Sequence, residues 1–276
     1  MPNSPADRLS ANGATVPVIG FGTSTLDDCG ALVAAALRAG YRHIDTARKY
    51  GTEAGVGEGI RAAGVRREDI FVTTKVSHEH LRPVDFARSV ETSLKTLRLD
   101  YVDLLLIHWP NPEIALAEAI PALARAKREG LTRHIGVANF TVALLDQAIA
   151  LCPEPLVTNQ VEFHPYLDQG AVLAACRRHG LLLTAHCPLG RGRLVDDPAL
   201  AEIAGRKGKS NAQVALRWAI QRGVVPIPRS SHPQRITANL DIFDFALDDA
   251  DMARIEAMQR PGSRIANPVG RAPAWD

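Results

Sequence analysis

The hydrophobic pattern of the chain alternates between two periods. Short runs rich in Val, Ile, Leu and Thr are followed by longer stretches in which apolar residues recur at helical spacing. This alternation is typical of repeated βα units around a parallel sheet. Eight runs have the composition of a buried strand, and they are 18–22, 43–47, 71–76, 102–109, 134–140, 157–163, 181–187 and 224–230. Eight such units predict a protein of the α/β class with a closed (β/α)8 TIM barrel.

Segments outside these strands predict helices and additions at both ends. Helical periodicity is clear at 29–40, 85–99, 113–130 and 170–180. Asn12-Gly13 lies between two short β-prone pieces and predicts an N-terminal β-hairpin that could close the barrel floor. After the last strand we expect helices around 233–242 and 248–258, then a Pro/Gly-rich tail from Pro261 that lies across the surface. We therefore expect residues 1–276 to form a single barrel domain with an extra C-terminal helix and tail.

Composition is that of an ordinary globular protein. The chain has 276 residues, 46% hydrophobic and 22% charged, with a net charge of +2. No dense Lys/Arg run indicates a nucleic-acid partner, and no secretory signal or membrane-length apolar stretch is readable. The four cysteines are widely spaced, which favours reduced thiols over a disulfide frame or a zinc site. We expect a cytoplasmic protein with neither a nucleic acid nor a membrane as partner.

Candidate chemistry lies at the carboxyl ends of the predicted strands, where the functional residues of barrels cluster. Asp45 ends one strand, and Tyr50 lies in the loop that follows it. Lys75 and His108 end the next two strands. Further polar strand ends are Asn139, Asn159, Gln160, His186 and Arg229. So many polar groups on one rim predict a functional site there.

The first four residues suit carbonyl reduction. A tyrosine is a weak acid, with a usual pKa of about 10, but a neighbouring ammonium group stabilises its phenolate. Lys75 would do this for Tyr50, and Asp45 would hold Lys75 charged and in place. His108 could then position the substrate oxygen. Because no side chain can donate hydride, a nicotinamide cofactor is implied.

The usual dinucleotide fingerprints are missing. No G-x-G-x-x-G opens a βαβ unit, and the glycines at 51, 55, 57 and 59 have the wrong spacing for one. No tyrosine is followed four residues later by a lysine. Both observations weaken a Rossmann-type dehydrogenase as an interpretation.

Eight segments resemble, in order, the motifs of the aldo-keto reductases. They are PVIGFGTS, HIDTARKYGTE, TTKV, LLLIHWP, GVANF, NQVEFHPY, AHCPLG and VPIPRSSHPQRITANL. The resemblance covers nearly the whole chain, and the short tail is most similar to bacterial members such as the 2,5-diketo-D-gluconate reductase group. It implies a (β/α)8 barrel that binds NADPH in an extended pose across its carboxyl rim. It also implies a catalytic tetrad of Asp45, Tyr50, Lys75 and His108.

The same resemblance implies a set of cofactor-binding residues. Asn139 and Gln160 would bond the nicotinamide amide. Gly22 and Thr23 would line its pocket. The pyrophosphate would lie along Leu189 and Gly190, and the adenosine end with its 2′-phosphate would contact Arg229, Ser230, Arg235 and Asn239. Two guanidinium groups beside a serine suit a phosphate, so we expect NADP(H) rather than NAD(H).

Some positions depart from the family pattern. His186 stands where a tyrosine stacks on the nicotinamide, so its imidazole is expected to be the stacking ring, and Cys187 replaces a serine. His108 and Trp109 are expected to contact the substrate, in a pocket left open by Ser24 and by a short loop after Pro110. We expect a monomeric reductase of aldehydes, ketoaldehydes or keto-sugars.

Two alternatives stay open. His43 and Asp45, with Lys75 and the histidines at 108, 164 and 186, could form the site of a metal-dependent barrel hydrolase. No convincing third ligand is apparent, however, and we expect no metal. The chain could also be a catalytically silent NADPH-binding regulatory subunit, because fold alone does not establish activity. The complete tetrad argues against that interpretation.

Overall fold

The computed structural model of the protein describes residues 2–276. Its strands are β1 (Arg8–Ala11), β2 (Ala14–Pro17), β3 (Phe21–Gly22), β4 (His43–Asp45), β5 (Phe71–Val76), β6 (Val102–Ile107), β7 (Thr132–Ala138), β8 (Leu156–Glu162), β9 (Leu182–His186) and β10 (Val224–Pro226). Its helices are α1 (Cys29–Ala39), α2 (Glu53–Ala63), α3 (Pro83–Leu97), α4 (Leu116–Arg128), α5 (Val142–Leu151), α6 (Gly170–Arg178), α7 (Pro198–Lys207), α8 (Asn211–Gln221), α9 (Pro233–Ala238) and α10 (Asp249–Glu256). Among the described residues, no helix is long and apolar enough to cross a membrane.

Strands β3 to β10 form the predicted barrel. Each pairs in parallel with its neighbour in the chain. The first and last strands are joined by two backbone bonds, because the N–H groups of Gly20 and Gly22 donate to the carbonyl oxygens of Pro226 and Pro228, each at 3.0 Å. A Cβ at Gly22 would lie 2.9 Å from the Ile227 carbonyl oxygen. A side chain there would push the closing strands apart.

The N-terminal hairpin is also confirmed. Strands β1 and β2 pair antiparallel around Asn12 and Gly13, which both have positive φ. Ala11, Ala14 and Val16 belong to a buried cluster with apolar side chains of the barrel strands. The Asn12 side-chain amide donates to the carbonyl oxygen of Leu156 at 2.7 Å, where β8 begins. The hairpin therefore closes the barrel at the end where the strands start.

The helices differ from the expected ones mainly at their limits. The helix expected from 113 begins at Leu116, because Asn111 forms a side-chain turn with the N–H of Glu113. The glycines of α2 serve helix packing. A Cβ at Gly57 would collide with the Leu97 carbonyl oxygen at the end of α3. The glycine cluster thus has a structural explanation.

The C-terminal tail crosses the carboxyl end of the barrel. Near its start, the N–H groups of Ile265 and Ala266 donate to the Glu162 carboxylate at the end of β8. At its finish, the Asp276 carboxylate accepts from the N–H of Val142 at 2.9 Å, in the first turn of α5. The tail is therefore fastened at both ends over the rim that carries the polar residues.

Candidate active site

Lys75 lies at the centre of the four residues that the sequence singled out. Its ammonium donates to Asp45 Oδ1 at 2.5 Å and to the Thr46 carbonyl oxygen at 2.8 Å, and it faces the Tyr50 hydroxyl at 3.5 Å. These contacts use its three N–H groups. The other carboxylate oxygen of Asp45 accepts from Gln160 Nε2 at 2.8 Å.

Local structure explains this convergence. In the parallel ladder Asp45 of β4 is in register with Thr73 of β5, and Lys75 lies two residues further toward the carboxyl end on the same face. A single 3₁₀ turn, Arg48–Tyr50, then brings Tyr50 back over Lys75. The Lys75 ammonium lies 5.1 Å from the centre of the phenol ring.

The pKa values of Tyr50 and Lys75 indicate that both groups hold their protons at neutral pH. Burial raises the pKa of Tyr50 above its usual value of 10.0, and the Lys75 ammonium only partly opposes this. Burial lowers the pKa of Lys75, but Asp45 and Tyr50 together outweigh it and the net direction is upward. Lys75 therefore moderates the acidity of Tyr50, as expected, without making the phenol more acidic than usual.

His108 faces Tyr50 at the end of β6. The two rings meet edge to face with their centres 5.4 Å apart. Burial, assisted by the Lys75 charge, lowers the pKa of His108 well below 6.5. The imidazole is neutral at pH 7, so it can offer a hydrogen bond but no acidic proton of its own.

Asn139, His186 and Gln160 lie beside this group and already bond to the protein. Asn139 has a left-handed backbone with φ 63°. Its Nδ2 donates to the His108 carbonyl oxygen at 2.9 Å, and its Oδ1 lies 2.9 Å from His186 Nε2. The amide nitrogen of Gln160 is bonded to Asp45. The contacts of these residues with a nicotinamide ring therefore stay a prediction.

The other expected cofactor residues lie along the same rim. Thr23 Oγ1 donates to the Asp45 carbonyl oxygen at 3.0 Å, just beyond Gly22. Leu189 and Gly190 follow β9, where Gly190, Arg191 and Gly192 all have positive φ. The Arg229 guanidinium is exposed and donates to the Thr25 hydroxyl and carbonyl oxygens.

The donor groups beyond β10 fit an NADP(H) phosphate. Ser230 bonds the backbone of His232 just ahead of α9, and Arg235 and Asn239 lie on and directly after that helix. Arg235 is exposed, and no carboxylate in the part of the chain that the structure describes pairs with it or with Arg229. Two guanidinium groups without a carboxylate partner, together with a hydroxyl, are chemistry that matches a phosphate dianion.

Trp109 forms part of a stack with the tail that sequence reasoning missed. Its ring meets Trp275 edge to face, with the centres 6.1 Å apart. The Arg264 guanidinium lies 3.6 Å from the centre of the Trp275 ring. The tail has no periodicity, so neither contact could be read from the sequence. Glu162 was also missed, although a charged residue at the end of a buried strand is the same signal that identified Asp45.

The histidines considered as metal ligands have other partners. His43 Nε2 lies 2.9 Å from Thr73 Oγ1, and His164 Nε2 lies 2.8 Å from Glu162 Oε1. Within residues 2–276, no three His, Cys, Asp or Glu side chains are grouped closely enough to hold a metal ion.

Comparison with known proteins identifies the family of the chain. The profile described as the Aldo/keto reductase family matches residues 18–260. The methylglyoxal reductase DkgB of Escherichia coli O157:H7 is 41% identical over 266 residues, which are 95% of this chain and 99% of that protein. An aldo-keto reductase of Mycolicibacterium vanbaalenii is 44% identical, with 91% of each chain covered.

Two solved structures are similar over almost the whole chain. One, provisionally assigned as a 2,5-diketo-D-gluconic acid reductase B, has a TM-score of 0.96 and 45% identity and covers 98% of this chain and 97% of its own. The Bombyx mori aldo-keto reductase AKR2E4, solved in complex with NADP, has a TM-score of 0.88 and 33% identity and covers 98% and 96%. The chain therefore belongs to the aldo/keto reductase family and is an NADP(H)-dependent oxidoreductase.

Proposed function

We propose that the protein reduces small aldehydes, ketoaldehydes and keto-sugars to alcohols with NADPH, using Tyr50 as the general acid. When bound, the reduced nicotinamide supplies the hydride. The substrate carbonyl oxygen would accept hydrogen bonds from the Tyr50 hydroxyl and from an imidazole N–H of His108. As negative charge develops on that oxygen, the Tyr50 proton is transferred to it.

Lys75 and Asp45 set the electrostatics of that proton transfer. The Lys75 ammonium stabilises the phenolate that remains, because one of its N–H groups is directed at the Tyr50 oxygen. Asp45 holds the ammonium in place, and Gln160 in turn fixes Asp45. A positioned acid of this kind contributes roughly 10²- to 10⁴-fold to the rate.

The chain of contacts from Asp45 through Lys75 to Tyr50, in which the ion pair is buried, is the observation that carries this proposal. Asp45 and Lys75 are each about 1% exposed, so the pair has been removed from water at a considerable free-energy cost. Retaining a buried ion pair whose remaining N–H faces a phenol is expected of a catalyst. It is not needed in a silent NADPH-binding subunit. A hydrolase site is disfavoured because the Asp45 carboxylate is already bonded to Lys75 and Gln160.

The names of the relatives support the proposed substrate class. DkgB is named as a methylglyoxal reductase, and the similar solved structure as a reductase of 2,5-diketo-D-gluconic acid. Both compounds are small and carry two carbonyl groups. We propose that this chain takes the same class, with His108 and Trp109 contacting the substrate.

The test is NADPH consumption by the purified protein with methylglyoxal, 2,5-diketo-D-gluconate and a panel of simple aldehydes, followed by absorbance. Turnover with at least one of the dicarbonyl compounds is expected. A parallel fluorescence titration measures NADPH binding. Tight binding without turnover of any substrate would support the silent subunit instead.

A further inference from the structure

Arg264 lies at the start of the tail on a firmly fixed backbone. Before it, the Ser263 hydroxyl donates to the Tyr166 carbonyl oxygen at 2.5 Å. After it, the N–H of Ile265 donates to Glu162 Oε1 at 2.7 Å. Glu162 is itself 0% exposed and in register with His186 on the neighbouring strand. The Arg264 backbone is thus fixed at the rim beside the expected nicotinamide position.

The guanidinium of Arg264 packs on an aromatic ring, but no carboxylate pairs with its charge. One of its faces covers the Trp275 ring, and Trp275 is fixed by a 2.8 Å bond from its Nε1 to Asn267 Oδ1. Within the described residues, Nη1 is buried without a hydrogen-bond partner, and no carboxylate lies within ion-pair distance of the group. Burial lowers the pKa of Arg264, with only partial compensation from the Glu162 and Asp276 charges.

Arg264 is half-buried, and a guanidinium that keeps a buried, unbonded Nη1 and has no carboxylate partner is unfavourable unless a partner arrives from outside the chain. The partner that fits a planar guanidinium fork is a carboxylate. Arg264 contacts Trp275, and Trp275 contacts Trp109, which directly follows His108. These contacts connect the guanidinium to the candidate active site. A substrate that extends along the stack would bring its anionic end to Arg264 while its carbonyl group contacts His108 and Tyr50.

We propose that Arg264 determines specificity by binding the carboxylate of carbonyl substrates, such as keto-sugar acids. The proposal rests on the carbonyl-reductase function argued above. It assigns Arg264 to substrate binding rather than to proton or hydride transfer. Trp275 presents the guanidinium, and an apolar side chain at position 264 would keep the stack while removing the charge.

The experiment compares substrates that differ only in charge. The pairs are 4-carboxybenzaldehyde with 4-formylbenzamide, and D-glucuronate with D-glucuronamide. The variant is Arg264→Met, whose flexible side chain can still pack on Trp275. Arg88→Met, an exposed arginine on α3, is the matched control. Thermal unfolding and NADPH titration show that each variant is folded and binds the cofactor.

We expect Arg264→Met to raise KM for the carboxylates about tenfold or more, because a charge-assisted hydrogen bond is lost. KM for the amides should change by less than about twofold, and Arg264→Lys should restore part of the carboxylate preference. An equal loss with both members of a pair, or no loss with either, would overturn the proposal. Failure of the wild-type protein to reduce any member of the panel would instead contradict the carbonyl-reductase function.

Discussion

His186 stands where the resemblance to the family motif implies a tyrosine, and the groups around it determine the charge of its ring. Its Nε2 lies 2.9 Å from the Asn139 side-chain oxygen. Burial lowers the pKa of His186 from 6.5 to about 4. The ring is therefore neutral at pH 7 and does not repel an oxidised nicotinamide, but it offers less stacking area than a phenol.

Replacing His186 with Tyr should tighten NADP+ binding roughly two- to tenfold through the larger ring. The pH dependence of NADP+ affinity between pH 8 and pH 6 should be the same in the wild-type protein and in His186→Tyr, because His186 gains its proton only near pH 4 and the 2′-phosphate titrates alike in both. Fluorescence titration at several pH values measures both effects. Unchanged or weaker binding by His186→Tyr would contradict the stacking role. A fall in affinity near pH 6.5 in the wild-type protein but not in His186→Tyr would contradict the neutral ring.

The Asp45–Lys75 pair links catalysis to stability. Lys75→Met leaves the Asp45 carboxylate buried and uncompensated, which should lower the free energy of unfolding by about 3–5 kcal/mol and remove most activity. Asp45→Asn combined with Lys75→Met removes both charges, so it should recover much of the stability but none of the activity. Urea unfolding and steady-state kinetics separate the two. A fully active double variant would exclude the proposed role of Lys75.

The sequence indicated where these residues would meet, because each lies at or just beyond the carboxyl end of a strand. Asp45, Lys75 and His108 interrupt or follow apolar runs, and parallel strands place their carboxyl ends together. The pKa directions of Lys75 and His108 could not be predicted, since these depend on burial. Glu162 and Arg264 are charged as well, but Glu162 bonds to the tail and Arg264 lies in it, and no periodic pattern indicates the path of the tail.

At the level of elements, the Glu162 carboxylate fastens the tail to β8. Burial raises its pKa, but His164 and the backbone N–H groups of Ala266 and Ile265 outweigh this, and the net pKa is lowered from 4.5 to about 2. A lowered pKa in the folded state contributes stability that is present above pH 4.5 and lost as the pH falls toward 2. This contribution is on the order of 3 kcal/mol.

Glu162→Gln should therefore lower stability at pH 7 and flatten the acid side of the stability curve. It should also loosen the tail, seen as faster proteolysis after residue 260. Glu91→Gln, on the exposed face of α3, is the control and should behave as wild type. If Glu162→Gln keeps the wild-type slope between pH 4.5 and 2, the carboxylate does not fasten the tail through its charge.

For the strands, the sequence predicted their number and order but not all of their lengths. All eight barrel strands were predicted, but the first and last are shorter than expected, at Phe21–Gly22 and Val224–Pro226. These two meet each other at the barrel closure, where only a few backbone bonds form. Arg229 and Ser230 therefore lie in a loop rather than in the predicted strand, which leaves the Arg229 guanidinium exposed. Helices α5, α7 and α8 were not specified by the hydrophobic pattern.

For the whole molecule, the barrel and the reaction class followed from the order of motifs along the chain. The substrate did not, because its pocket is assembled from loops and from a tail that are distant in sequence. Trp109 and Trp275 contact each other although they are 166 positions apart. A monomeric state remains a prediction.

The most direct test of the central claim is Tyr50→Phe, measured for turnover and for NADPH affinity with the same preparation. The phenylalanine keeps the ring beside His108 but has no proton to give. Turnover should fall roughly 10²- to 10⁴-fold while NADPH affinity stays at the wild-type value. The control is Tyr101→Phe, at the opposite end of β6, which should be fully active. A Tyr50→Phe variant that reduces carbonyls at the wild-type rate would contradict the account.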